Sequence, residues 1–142
     1  MLHVIFEEGL EDKEYIEKYT EGIEELREIV KSYTPEKTAE ICGVDKELII
    51  QAARLYAGTH KSYIAYAMGI TQHVNGTDNV SSLSNLALVT GNIGKKASGV
   101  NPLRGQNNVQ GACDMGALPT DYPAYQKVFN PEVQEKFEKA WG

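Results

Sequence analysis

Residues 62–69 read Ser-Tyr-Ile-Ala-Tyr-Ala-Met-Gly. The run is short, aromatic and apolar, and Gly69 punctuates it at once. These features predict a short buried strand over about 62–68. Residues 78–91, Asp-Asn-Val-Ser-Ser-Leu-Ser-Asn-Leu-Ala-Leu-Val-Thr-Gly, change the period to that of a helix. Val80, Leu83, Leu86, Ala87 and Val89 form its apolar face. Asp78 or Thr77 is the expected N-cap, and Gly91 or Asn92 the stop. Strand, loop and helix make one βα unit, which fixes the class as α/β. A lone strand cannot satisfy its own backbone groups, and no second strand announces itself. The expectation is therefore an α/β fragment of a larger fold.

On the N-terminal side of this unit, residues 1–58 read as a predominantly helical region. Asp12, Thr34 and Asp45 are placed as N-caps, with Pro35 at a first helical position, and Gly43 and Gly58 near helix ends. Thr20 is the expected opening of the helix that carries Ile23, Leu26, Ile29 and Val30. Residues 59–98 form the strand–loop–helix unit. Residues 99–142 carry a loop and a C-terminal helix with Val133, Phe137 and Trp141 on one stripe. Residues 91–123, rich in Gly, Asn, Gln and Pro, show no helical or strand period. They read as a long loop that still carries Ile93, Val100, Leu103, Val109, Met115 and Leu118. Loops of this length in compact domains are usually functional, and this one is expected to be held by a ligand or a neighbouring domain.

The chain has 142 residues, one domain's worth, and 42% of them are hydrophobic, enough for a core. Its formal charge of −6 is uneven: residues 1–57 carry −7, residues 58–118 carry +2 and the remainder −1. An acidic balance without a basic face excludes a general nucleic-acid binder. The acid-poor centre could accept an anion, or could simply be a partly buried segment. No apolar run approaches a membrane span, and the N-terminus carries no secretory signal, so the expected location is cytoplasmic. Two cysteines, Cys42 and Cys113, without CxxC spacing or a Cys/His cluster, build no zinc or iron–sulfur site. No metal ligand is assigned in this chain.

Arg104 is the most informative single residue. It lies in Asn101-Pro102-Leu103-Arg104-Gly105-Gln106-Asn107-Asn108-Val109-Gln110-Gly111. A guanidinium offers a fixed fork of donors to a carboxylate. Gly105 allows close backbone approach, and the neighbouring amides suit a heterocycle with mixed donor and acceptor edges. The same amides could instead satisfy their own turns. Met68, Gly69 and Gln72 lie at the carboxyl end of the strand, where open α/β sheets dock ligands; an ordinary turn has the same position. His73 is the only histidine near them. Cys113 has no histidine nearby in sequence and reads as an inert thiol.

Residues 65–80 (AYAMGITQHVNGTDNV), 83–125 (LSNLALVTGNIGKKASGVNPLRGQNNVQGACDMGALPTDYPAY) and 135–142 (EKFEKAWG) resemble the catalytic, or alpha, subunit of molybdopterin-dependent formate dehydrogenases. The segments HVIFEEGL and EYIEKYTEGIEELREIVKSYTPEKTAEICGV fit the same pattern, so the resemblance covers essentially the whole chain. The run Arg104-Gly105-Gln106-Asn107-Asn108-Val109-Gln110-Gly111 is its most specific part and separates formate oxidation from oxygen-atom transfer. The resemblance implies oxidation of formate to carbon dioxide at a Mo or W centre held by two pterin guanine dinucleotides, with electrons leaving through an iron–sulfur cluster. It implies that Arg104 orients formate, that Gln106 lies by the pterin and that arginine, and that Met68, Gly69, Gln72 and Gly105 line a pterin cofactor. Implied partners are the remainder of the catalytic subunit and electron-transfer subunits. The family's 4Fe-4S cysteines, its Cys or selenocysteine metal ligand and the adjacent histidine are not in these residues, so the isolated chain is expected to be catalytically silent. The apolar faces and strand edge it would expose predict self-association. Two alternatives stand beside this reading: a free-standing helical module whose acidic half binds a protein, and a related molybdopterin oxidoreductase with another substrate.

Overall fold

A computed structural model describes all residues, Met1–Gly142, as two compact units, Met1–Leu103 and Arg104–Gly142. The first unit begins with five helices: α1 (Leu2–Glu7), α2 (Lys13–Tyr19), α3 (Ile23–Lys31), α4 (Pro35–Cys42) and α5 (Lys46–Gly58). Three N-caps are where the sequence places them. Asp12 accepts from the Tyr15 amide at 3.0 Å, Thr34 from Lys37 at 3.3 Å and Asp45 from Glu47 at 2.7 Å. Helix α3 departs from expectation. Its N-cap is Gly22 in the left-handed region rather than Thr20, whose hydroxyl bonds back to the Ile16 carbonyl and closes α2 instead.

The chain then runs through β1 (Tyr63–Tyr66), the single turn α6 (Met68–Thr71), α7 (Gly76–Val89) and β2 (Gly99–Pro102). Strands β1 and β2 pair in parallel, Tyr63 opposite Gly99 through Tyr66 opposite Pro102. A parallel pair needs a long crossover, and α6 with α7 supplies it. The partner of β1 therefore lies inside the stretch read as structureless. Its sequence, Gly-Val-Asn-Pro, has no alternation to betray it, and the terminal Pro102, which lacks an N–H, is tolerated at the strand's end. Leu103 carries the ladder one step further, donating to the Tyr66 carbonyl at 2.7 Å.

The expected burial of this strand is corrected. Only one edge of the stretch is enclosed: Ser62 is buried and Ile64 packs against the core, whereas Tyr63 is 54% exposed. The apolar run signalled a strand covered on both faces, as parallel strands usually are. In this two-stranded sheet the outward face stays open. Met68 does not end the strand but starts α6. Helix α7 begins at Gly76, two residues before Asp78, with Asn75 as a cap residue that makes no side-chain hydrogen bond. A Cβ at position 76 would overlap the Thr71 carbonyl oxygen, so the α6–α7 corner requires glycine.

The core of this unit is Val4, Ile5, Ile16, Ala53, Leu86 and Val89, drawn from α1, α2, α5 and α7. Asn92 is built into its border at 1% exposure. Its Oδ1 accepts from the Ser62 amide at 2.9 Å and its Nδ2 donates to Thr90 Oγ1 at 2.9 Å. The Ser62 hydroxyl donates to the Tyr56 carbonyl at 2.8 Å. The buried Asn92 amide thus ties the end of α7 to the start of β1, and the Ser62 hydroxyl ties β1 to the end of α5.

The second unit holds α8 (Val109–Asp114), β3 (Asp121–Tyr122), a 3₁₀ turn (Pro123–Tyr125), β4 (Gln126–Lys127) and α9 (Pro131–Trp141). Strands β3 and β4 are antiparallel, with Asp121 opposite Lys127. Stretch 91–123 is thus not a loop throughout: β2, α8 and β3 lie in it. Each is six residues or fewer, too short for a periodicity to register. Tyr122 stacks on Phe137 at 4.3 Å between ring centroids, and Trp141 lies 4.8 Å from Phe137. Asp121, with a side chain only 3% exposed, pairs with Lys127 at 2.5 Å and accepts from the Thr120 hydroxyl at 2.7 Å. The Lys127 ammonium, then that hydroxyl, hold its carboxyl below the ordinary range.

Candidate functional site

The residues singled out in the sequence fall in both units. In the first, Met68, Gly69 and Gln72 sit on or just after α6, at the carboxyl end of β1. All three are exposed, Met68 at 64%. The Gln72 amide nitrogen donates to the Met68 sulfur at 3.3 Å, which leaves the Gln72 carbonyl oxygen turned away from that contact. His73 contacts the Gly69 carbonyl at 2.9 Å and braces the turn. A Cβ at Gly69 would meet nothing within 4 Å, so a ligand could reach this backbone directly.

In the second unit, Arg104, Gly105 and Gln106 lead into α8 and are all exposed. Gly105, like Gly69, has open space where a Cβ would stand. Two local devices shape the entry into α8. Asn108 precedes the helix in the left-handed region, φ 51°. A Cβ at Gly111 would come within 2.6 Å of the Asn108 side chain, so glycine at 111 makes room for it. The run Asn108-Val109-Gln110-Gly111 is in this sense a helix start, and it places Gln110 on the first turn of α8.

Arg104 donates from Nη2 to Gln110 Oε1 at 3.3 Å. None of the chain's ion pairs involves Arg104. Gln110 Nε2 donates to Asp114 Oδ1 at 3.1 Å and to the Tyr125 oxygen at 2.9 Å. The Tyr125 hydroxyl donates to the same Asp114 oxygen at 2.8 Å. Hydrogen bonding to Asp114, then partial burial and the Asp114 charge, push the Tyr125 phenol above its ordinary value. Asp114 and Tyr125 were not singled out by the sequence. Asp114 could have been, since it follows Gln110 by four residues, one helical turn. Tyr125 could not, because Ala124 and Tyr125 both adopt positive φ, 61° and 57°, which no residue type there announces.

The first unit offers an amide, a thioether and open backbone at Met68, Gly69 and Gln72; the second offers amides, open backbone and one guanidinium in residues 104–110. No group of three or more His, Cys, Asp or Glu side chains could hold a metal ion. The amides of each unit suit the mixed edges of a pterin, and the guanidinium of the second suits the two oxygens of a carboxylate.

The family model for molybdopterin oxidoreductase matches residues 1–140. The chain belongs to that family. Among curated members, the chain is 57% identical over 141 residues to the F420-dependent formate dehydrogenase subunit alpha of Methanocaldococcus jannaschii, covering 99% of this chain and 21% of that protein. It is 56% identical to formate dehydrogenase H of Escherichia coli, covering 100% of this chain and 20% of that protein. It is 52% identical over 139 residues to the F420-dependent formate dehydrogenase 2 subunit alpha of Methanococcus maripaludis, again 20% of the relative. This molybdopterin oxidoreductase chain therefore spans about a fifth of the length of the relatives it matches. None of its helices is long and apolar enough to cross a membrane.

Proposed function

We propose that this chain is the substrate-orienting and pterin-lining segment of the catalytic subunit of a formate dehydrogenase, acting in the cytoplasm. The reaction converts formate to carbon dioxide, a proton and two electrons. A molybdenum or tungsten centre with two pterin guanine dinucleotides, when bound, supplies the sink for those electrons.

The chain's own contribution is positional. Arg104 would take the formate oxygens on its fork of N–H donors, fixing the direction of the C–H bond and balancing the substrate's charge. The Gln106 side chain makes no hydrogen bond within the chain and is free to meet the pterin or substrate. In the first unit Met68, Gly69 and Gln72 would lie along a pterin, Gly69 by close backbone approach and Gln72 through its free carbonyl oxygen; in the second, Gly105 would let the backbone come close to a pterin. The observation that carries the reading is the state of Arg104: exposed, held by a single neutral amide and left unpaired by every carboxylate of the chain. The substrate class follows the relatives, several of which bear the name formate dehydrogenase.

Expected partners are the remainder of the catalytic subunit and electron-accepting subunits. The test is formate-dependent reduction of a dye, with carbon dioxide measured alongside, in a full-length subunit carrying this segment. Two electrons per carbon dioxide support the proposal. A cofactor-loaded subunit that reduces the dye with another substrate and never with formate would overturn it.

A further inference from the structure

Arg104 is exposed, yet its surroundings are ordered by three side chains that take no part in the proposed chemistry. We propose that Gln110, Asp114 and Tyr125 form a positioning relay that aims the Arg104 guanidinium at the substrate carboxylate. The inference rests on the reading of Arg104 as the formate-orienting residue.

Hydrogen-bond polarity sets the direction of the relay. A primary amide has two N–H donors and one carbonyl acceptor. The Gln110 amide nitrogen is turned to the far side, where it donates toward the adjacent oxygens of Asp114 at 3.1 Å and Tyr125 at 2.9 Å. The Tyr125 hydrogen is itself committed to Asp114 at 2.8 Å. The carbonyl oxygen must therefore face Arg104. A flipped amide would set oxygen against carboxylate and N–H against guanidinium, two repulsive contacts for two attractive ones. Asp114 and Tyr125 thus decide how Gln110 is oriented, and Gln110 decides where one arm of Arg104 is held.

The distance of the negative charge matters as much as its presence. Asp114 polarises Gln110 without touching Arg104. A carboxylate in direct contact would neutralise the guanidinium and compete with formate for the same donors. An aliphatic side chain in place of Gln110 would leave the arginine to wander among rotamers. The neutral amide holds the side chain while Nε and the remaining N–H groups stay open for a ligand. Tyr125 reaches the relay through two consecutive non-glycine residues in the left-handed region, a conformation that costs energy at each. Hydrogen bonds to Gln110 and Asp114 are what that conformation gains.

Two variants separate positioning from mere support: Gln110→Glu, nearly isosteric but anionic, and Gln110→Met, similar in length and neutral. In the cofactor-loaded full-length subunit, Gln110→Glu should raise the KM for formate roughly tenfold while kcat changes less. Gln110→Met should raise it less, about threefold, because the arginine loses one anchor but keeps its charge and its open donors. A purely structural role would lower yield or thermal stability without this split. A second readout does not depend on turnover. In the 142-residue chain, Asp114→Asn should lower the titration midpoint of Tyr125, followed by its ring carbon resonances, toward that of an ordinary tyrosine. An ordinary Tyr125 midpoint that Asp114→Asn leaves unmoved would overturn the relay. So would an unchanged formate KM in both Gln110 variants; if Arg104→Ala then abolishes turnover, the role of Arg104 survives and only the relay falls. Normal turnover in Arg104→Ala would remove both.

Discussion

The two units are held together by different physics. Residues 1–103 are organised around a dry cluster of Val4, Ile5, Ile16, Ala53, Leu86 and Val89, with one buried amide, Asn92, as a strut. Residues 104–142 bury little: Phe137 under Tyr122, and Asp121 against Lys127. The segment around Arg104 is ordered by exposed side-chain hydrogen bonds centred on Gln110 and by residues in the left-handed region. Apolar burial is non-directional and tolerant of small displacements. Hydrogen-bond geometry is directional, so it can fix a guanidinium where packing could not. The contrast amounts to a division of labour: apolar stability is concentrated in the first unit, and directional polar contacts surround Arg104 in the second.

Substitutions test that division in graded steps. The largest loss of stability is expected from Ile5→Ala, since Ile5 is fully buried and its neighbours come from several helices. Urea unfolding should show a loss of about 2–5 kcal/mol. A loss near zero would mean the cluster is not the core. Next is Asn92→Ala, which orphans the Ser62 amide and removes the donor to Thr90. About 1–3 kcal/mol should be lost, with the junction of α7 and β1 exchanging its amides faster. Equal protection in variant and parent would deny the strut its role.

The smallest effect belongs to the second unit and to pH. The Asp121 carboxyl lies below its ordinary range, held by Lys127 and Thr120. Its contribution is therefore complete above the unfolded value of about 4 and is lost as pH falls through the depressed folded value. Asp121→Asn should flatten the acid limb of the thermal-stability profile below about pH 4 and leave the slope at neutral pH unchanged. An acid limb identical to the parent's would contradict the pairing.

Much of the first unit was legible because its signals are local. Asp12, Thr34 and Asp45 cap the helices they precede, and the apolar stripe of α7 supplies Leu86, Ala87 and Val89 to the interior. What escaped was non-local. The parallel partner of β1 lies 36 positions away in Gly-Val-Asn-Pro, and pairing of that kind leaves no pattern in either strand. Asn92 could be read as a helix stop but not as a buried strut, since its two partners are set by tertiary structure. Arg104 and its amides stood out by residue type. The way Gln110 is oriented did not, because it depends on Tyr125, which arrives through the unusual backbone at Ala124.

The central claim is that Arg104 takes a carboxylate on its planar fork. The direct measurement is kcat/KM for formate in a full-length subunit carrying Arg104→Lys, with cofactor content checked to match the parent. Lysine keeps the charge and loses the bidentate geometry. A fall on the order of a hundredfold or more at equal cofactor content is the predicted result. An unchanged kcat/KM would show that a point charge suffices and would contradict the claim.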